Sequence, residues 1–195
     1  MTAPQTPTEA PEPAPIPAEE EKPHNPVKTA IEWGAIIFAA LLAAFLIKTF
    51  AIQAFYIPSG SMEPTLHIND RVLVNKIKYK VERGALVVFD RPANAPSGDD
   101  VNHLVKRVIG LPNETVEGRE NKVWINGKAL EEPYLPAGTR ILDFAPVTLG
   151  PDQYWVMGDN RLSSADSTKF GPLPKKLIVG RAFVRIWPPT SLKRL

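Results

Sequence analysis

The apolar positions fall into two regimes that meet near residue 50. From Trp33 to Ile47 the chain runs fifteen residues without a charged or strongly polar side chain, and after Lys48 and Thr49 the run resumes from Phe50 to Ile57 with only Gln53 polar. The first stretch is apolar on every side rather than along one stripe, which is the pattern of a helix surrounded by hydrocarbon. Glu32 and Lys48 stand at its ends, where long side chains reach the interface, and Trp33 and Tyr56 suit interfacial positions. At roughly 1.5 Å per residue, some 20 residues cross the hydrocarbon core, so residues 31–50 are expected to form a transmembrane anchor. A cleaved secretory leader is the alternative, with Thr49-Phe50-Ala51 as a conceivable cutting site. Leaders open on a basic segment, and this one follows an acidic tail.

Beyond the anchor the period shortens to that of strands. Arg71–Ile77 is rich in β-branched residues and partly alternating, Ala85–Phe89 is a short apolar run suited to a buried strand, and Val101–Ile109 alternates imperfectly up to Gly110. Lys122–Ile125 and Lys128–Leu130 flank Asn126-Gly127, the signature of a tight hairpin. Gln153–Met157 and Leu177–Trp187 complete the set, and Arg91–Asp100, with its prolines, glycine and aspartates, reads as a loop. Many short strands with Gly/Pro punctuation, and little helical periodicity, predict an all-β barrel or sandwich-like domain behind one N-terminal transmembrane helix.

Composition adds a third region. Residues 1–30 hold eight prolines and five glutamates against two lysines, a net of −3 that leaves +5 for residues 31–195. Such a segment buries too little apolar area to offset its ordering entropy and is expected to be a disordered tail. The overall charge of +2 makes no case for nucleic acid. Absence of cysteine removes disulfides and thiolate sites, and His24, His67 and His103 are too widely spaced to suggest zinc, so neither metal nor cofactor is expected. Basic residues on the two sides of the anchor (Lys22 and Lys28 before it; Lys48, Arg71, Lys76, Lys78 and Lys80 after) do not place the tail in the cytoplasm.

Three runs carry candidate chemistry. Ile57-Pro58-Ser59-Gly60-Ser61-Met62-Glu63-Pro64 follows the anchor closely; it is stiff, turn-prone and poor in bulk, so it suits a backbone that must approach another molecule, with Ser61 as candidate nucleophile. A serine hydroxyl needs a base to take its proton. His67 and His103 are candidates without a legible acid partner. Lys106, in His103-Leu104-Val105-Lys106-Arg107-Val108-Ile109, is bracketed by apolar neighbours, and alternation puts Leu104, Lys106 and Val108 on one face. A lysine is a base only when neutral, and burial favours that form. The third run, Met157-Gly158-Asp159-Asn160-Arg161-Leu162-Ser163-Ser164-Ala165-Asp166-Ser167, opens on a turn and crowds hydroxyls around a carboxylate.

Together, in this order and behind this anchor, the three runs resemble the bacterial type I signal peptidases from about Ile31 to Trp187. The resemblance implies Ser61 as nucleophile and Lys106 as general base. It implies an oxyanion hole from Ser59 and the Ser61 N–H, Ser164 orienting the amine, and Asp166 bracing the site. It implies a catalytic β core, residues 51–111 and 150–195, with a smaller β lobe, residues 112–149, inserted. It further implies a single-pass protein of the bacterial cytoplasmic membrane with its N-terminus inside and its catalytic domain on the outer face. Two positions depart from the family: Ala85 stands where an aspartate is usual, and Thr168 where an arginine often pairs with the aspartate, leaving Asp166 to pair with Lys169 or Arg161 or to remain unpaired.

The partners so implied are precursor proteins bearing signal peptides, cut after small residues of the Ala-X-Ala type, and the lipid bilayer; the oligomeric state is not legible. Ile57, Pro58, Met62, Leu66, Leu104 and Val105 are the expected pocket lining, by nearness to the two catalytic positions. Two other readings compete. One is a self-cleaving serine–lysine protease of the repressor type, although no DNA-binding helix pair precedes the β domain. The other is a non-catalytic tethered β domain that binds exported proteins.

Overall fold

The structure is a computed structural model that describes residues 26–46, 51–77, 79–96 and 101–195. By contact density the chain divides into two units, Met1–Leu41 and Leu42–Leu195. Helix α1 (Pro26–Leu46) is 21 residues long with a mean hydropathy of 2.0 over its most apolar window, long and apolar enough to cross a membrane. It starts five residues before the expected Ile31. Pro26 sits at its first position, where a missing N–H costs nothing, and Val27–Ala30 contain no breaker. The tail expected to be disordered over residues 1–30 therefore gives up its last residues to α1, and the rest of it lies outside the described residues, as does the expected end of the anchor at Lys48–Phe50.

From residue 51 onward the chain is built almost wholly of strands, as the alternation predicts. The order is β1 (Ile52–Tyr56), β2 (Arg71–Asn75), β3 (Leu86–Asp90), β4 (His103–Gly110), β5 (Thr115–Arg119), β6 (Lys122–Ile125), β7 (Lys128–Ala129), β8 (Phe144–Thr148) and β9 (Gln153–Met157). A single-turn helix α2 (Ser167–Phe170), β10 (Leu173–Pro174), the long β11 (Ile178–Trp187) and β12 (Lys193–Arg194) follow. Strands β1-β2-β11-β3-β4-β9-β10 form one antiparallel sheet with β12 on β11, and β7-β6-β5-β8 form a second. The β6–β7 hairpin closes on Asn126 and Gly127, both at positive φ (49° and 77°), the conformation a two-residue turn demands.

Three apolar clusters hold these strands. Val72, Val74, Leu86, Val88 and Ala182 pack with Ile57, Met62 and Leu66; Val87, Phe89, Val108, Val156 and Leu173 form a second cluster; Ile109, Val116, Val123, Leu149 and Trp155 join the two sheets in a third. Strand β4 is the shared wall. Alternation predicts one buried face, yet every residue from Lys106 to Gly110 is buried, because β3 and β9 flank it and clusters press on both faces. Burial of Lys106 and Arg107 on opposite faces is what makes this strand chemically unusual.

Candidate active site

Ser61 lies in a single 3-10 turn, Gly60–Met62, whose preceding residue Ser59 is extended and spends no side-chain hydrogen bond on the cap. Met62 and Leu66 anchor the turn in the first cluster, and the Met62 carbonyl accepts from the Leu66 N–H at 2.9 Å. The other side is tied to the loop after β9: Asn160 donates its N–H to the Ser61 carbonyl at 3.1 Å and its side-chain amide to the Gly60 carbonyl at 3.2 Å. Close approach depends on Gly158, where a Cβ would come within 2.4 Å of both the Ser61 carbonyl oxygen and Ser164 Oγ.

Lys106 Nζ lies 2.7 Å from Ser61 Oγ and donates to the Val105 carbonyl at 3.0 Å. The lysine is 2% exposed. Burial draws its pKa down from 10.5 to about 8, against the opposing pull of the Asp166 and Asp159 carboxylates. Ser59 Oγ lies 3.4 Å from Ser61 Oγ. The histidines go elsewhere: His103 Nε2 is 3.3 Å from Asp90 and its ring meets Phe55 edge-on, while His67 is exposed. Among the described residues neither bonds to Ser61.

Asp166 is fully buried without a cationic partner among the described residues. It caps α2: one oxygen accepts from the Thr168 N–H at 3.1 Å and hydroxyl at 2.7 Å, the other from the Gly158 N–H at 2.9 Å. Neither Lys169 nor Arg161 takes the position the family's arginine leaves open; Thr168 itself does. Arg161 pairs with Glu132 instead. Ser164 Oγ is buried against Gly158 and makes no hydrogen bond among the described residues, to Lys106 or otherwise. At Ala85, the other departure, the turn closes through its N–H to the Glu82 carbonyl at 3.1 Å, and Arg107 Nη1 donates to the Gly84 carbonyl at 2.7 Å.

The pair opens into a cavity of about 470 Å³ lined by Ile57, Pro58, Ser59, Met62, Leu104 and Val105, with Ser163–Ala165 on its far side. Leu66, expected in this lining, is not part of it: it is 0% exposed and belongs to the core beneath Met62. Spacing along the chain could not separate a residue that points at the cleft from one a turn later that points away. Among the described residues, β4 from His103 to Lys106 is paired by β3 alone, since β9 joins from Arg107, so one backbone edge borders the cavity.

Five residues around the site, Thr65, Arg107, Glu132, Tyr134 and Asp159, carry no mark in the sequence that assigns them a role there. Arg107 grips Asp159 through two bonds, Nε to Oδ1 at 2.8 Å and Nη2 to Oδ2 at 2.6 Å, and Thr65 Oγ1 donates to Asp159 Oδ2 at 2.5 Å. Glu132 and Tyr134, on the stretch after β7, reach back to Arg161 and Arg107. A cation inside an otherwise apolar strand needs a partner, so Arg107 signalled that some carboxylate would meet it; nothing signalled which.

An apolar N-terminal helix followed by a β fold with a serine in an apolar-walled cleft is the outline of a membrane-anchored serine hydrolase, and comparison with known proteins makes that outline specific. The family described as "Signal peptidase, peptidase S26" matches residues 30–187. The chain is 43% identical over 173 residues to a probable signal peptidase I-2 of Synechocystis sp., covering 87% of this chain and 78% of that one. It is 38% identical over 181 residues to signal peptidase I S of Bacillus subtilis, covering 86% and 94%. A crystal structure of a signal peptidase I from Enterococcus faecalis is 31% identical, covers 53% of this chain and 97% of that one, and superposes with a TM-score of 0.45. The chain therefore belongs to the signal peptidase family, peptidase S26, and is a serine endopeptidase. The resemblance read from the three runs holds.

Proposed function

We propose that the protein removes signal peptides from exported precursors through an acyl-enzyme on Ser61, with Lys106 as its general base. The observation that carries this reading is a buried amine 2.7 Å from a serine hydroxyl at the floor of a cleft. Neutral Lys106 takes the Ser61 proton as Oγ attacks the scissile carbonyl, then gives it to the departing amine, the new N-terminus of the mature protein. The amine next draws a proton from water, which releases the acyl group. Ser61 lies in the first turn of its 3-10 helix, where N–H groups have no intrahelical acceptor, and Ser59 Oγ is not engaged in capping. In this reading both donate to the oxyanion. Ser164, with an unspent hydroxyl beside Gly158, is positioned to hold the amine once substrate or water fills the cleft.

Cleavage after small residues follows from strand geometry. A substrate lying extended along the unpaired edge of β4 adds a strand, and alternate side chains of a strand point the same way. The first and third residues before the cut then both face Ile57, Met62 and Val105, a wall already packed on the core that admits little bulk. The helix α1 anchors the enzyme in the bacterial cytoplasmic membrane with its N-terminus inside, and tethering raises the effective concentration of membrane-bound precursor without any new contact.

The test is cleavage of a leader-bearing precursor in trans by Ser61→Ala and Lys106→Ala proteins whose circular dichroism matches the parent. Both lose cleavage. Retained cutting by Lys106→Ala together with loss in His103→Ala replaces the lysine with a histidine. Failure of an acylating inhibitor to label Ser61 in the parent returns the chain to the non-catalytic binding reading, and processing confined to the enzyme's own chain returns it to the self-cleaving one.

A further inference from the structure

We propose that Glu132 and Tyr134, on the stretch leaving β7, are positioning residues that set the register of Ser61 against Lys106. The inference deepens the serine–lysine reading and rests on it. Arg161 is the first link. Its side chain is 1% exposed and that of Glu132 7%. Nη1 donates to Glu132 Oε2 at 2.9 Å, Nη2 donates to Oε1, and Nε donates to the Gly158 carbonyl at 3.1 Å. Gly158 is the residue against which the Ser61 carbonyl and Ser164 rest, and two residues on, Asn160 holds the Ser61 carbonyl. Arg107 is the second link. Its guanidinium lies 3.8 Å over the Tyr134 ring, and its next neighbour on β4 is Lys106. The two links are joined at both ends, by the Tyr134 hydroxyl donating to Glu132 at 2.5 Å and by Asp159, gripped by Arg107, lying between Gly158 and Asn160.

One short segment of the smaller sheet's connection thus touches the supports of both reacting atoms while touching neither atom. A displacement near 1 Å at a reacting pair costs on the order of 10²-fold in rate, and this segment is where such a displacement would start. A brace of purely architectural value would hold the sheets together without bearing on the pair.

Glu132→Gln keeps the side-chain shape and removes the charge that Arg161 faces. In the full-length protein, at a temperature well below its melting point, kcat falls roughly 10- to 100-fold while KM stays within about twofold. The midpoint of kcat/KM against pH also moves upward, because a loosened Gly158–Asn160 loop admits water to the amine whose neutral form burial favours. The charged groups that bear on that amine are the carboxylates of Asp159, in the same loop, and Asp166, which caps α2; neither is replaced. The exposed neighbour Glu131→Gln leaves kcat, KM and midpoint at parental values. The double replacement Glu132→Leu with Arg161→Met restores the melting temperature, since an apolar pair replaces a buried ionic one, but does not restore kcat, since the Gly158 carbonyl loses its donor. Recovery of kcat together with melting temperature overturns the proposal, as do parental kcat and pH midpoint in Glu132→Gln. Lys106→Ala is assayed alongside: if it cleaves, the serine–lysine reading fails; if it is dead while Glu132→Gln is parental, only the positioning role fails.

Discussion

Lys106 carries its chemistry at a cost to the fold, and that cost depends on pH. In the unfolded chain the amine keeps a pKa near 10.5, and in the fold burial holds it at about 8, so between these values the unfolded state binds the extra proton and stability rises with pH. Below pH 8 the full penalty, about 3 kcal/mol, is present. Lys106→Met is therefore expected to be inactive yet more stable than the parent at pH 7, with the gap closing by about pH 10.5; urea titrations at both ends measure it. A gap that does not change with pH contradicts the depressed amine. The same pKa gives kcat/KM a rising limb centred near pH 8. Asp166 opposes the burial effect, so Asp166→Asn, which retains an oxygen acceptor for the Gly158 N–H, moves that midpoint down, opposite in sign to Glu132→Gln. Ser59→Ala removes the hydroxyl proposed as an oxyanion donor and is expected to lower kcat by about 10²–10³-fold with the protein still folded. Ser61 stands out through its stiff, small-residue run, whereas Lys106 by its neighbours alone reads as a surface lysine on a half-exposed strand and takes its role from the resemblance. The Ser164 role comes from the resemblance alone: its hydroxyl makes no hydrogen bond among the described residues, and hydroxyl direction is set by tertiary contacts that no local pattern records.

At the scale of elements, most strands could be placed from alternation and punctuation, and the Asn126-Gly127 hairpin from its turn residues alone. Two things escaped. Burial of β4 on both faces depends on which strands flank it, and register pairs residues far apart in sequence. Leu66 fell out of the pocket for a related reason: the turn from Ser61 directs it inward, and turn geometry is not a spacing rule. The loop after β9 is the element on which the site leans most. Gly158→Ala sets a methyl within 2.4 Å of the Ser61 carbonyl and Ser164 Oγ, the former backbone that cannot step aside. This variant is expected to lose most of its activity and about 1–3 kcal/mol of stability, read from cleavage and thermal melts of one preparation. Gly138→Ala, at the φ of 78° of a turn with open space around it, costs stability through backbone strain and leaves cleavage intact.

For the whole molecule, every residue assigned to chemistry lies within the unit Leu42–Leu195, and all of them follow the apolar α1 in the chain. A chain starting at Ala51 is expected to cut a soluble leader peptide with parental kcat, and to lose its advantage on precursors held in vesicles, where parental enzyme benefits from sharing the bilayer. Equal losses on both substrates contradict a purely tethering helix. One consequence follows from the solitary flank of β4 between His103 and Lys106. A peptide held through amide groups is recognised by its shape as a ribbon, and every polypeptide without an interrupting proline can present that ribbon. On the proposed cleavage rule, selectivity is confined to two small bites of side-chain space, so one such catalyst can service a wide clientele of unrelated sequences, and a compound that mimics the ribbon while filling those bites should block them all at once.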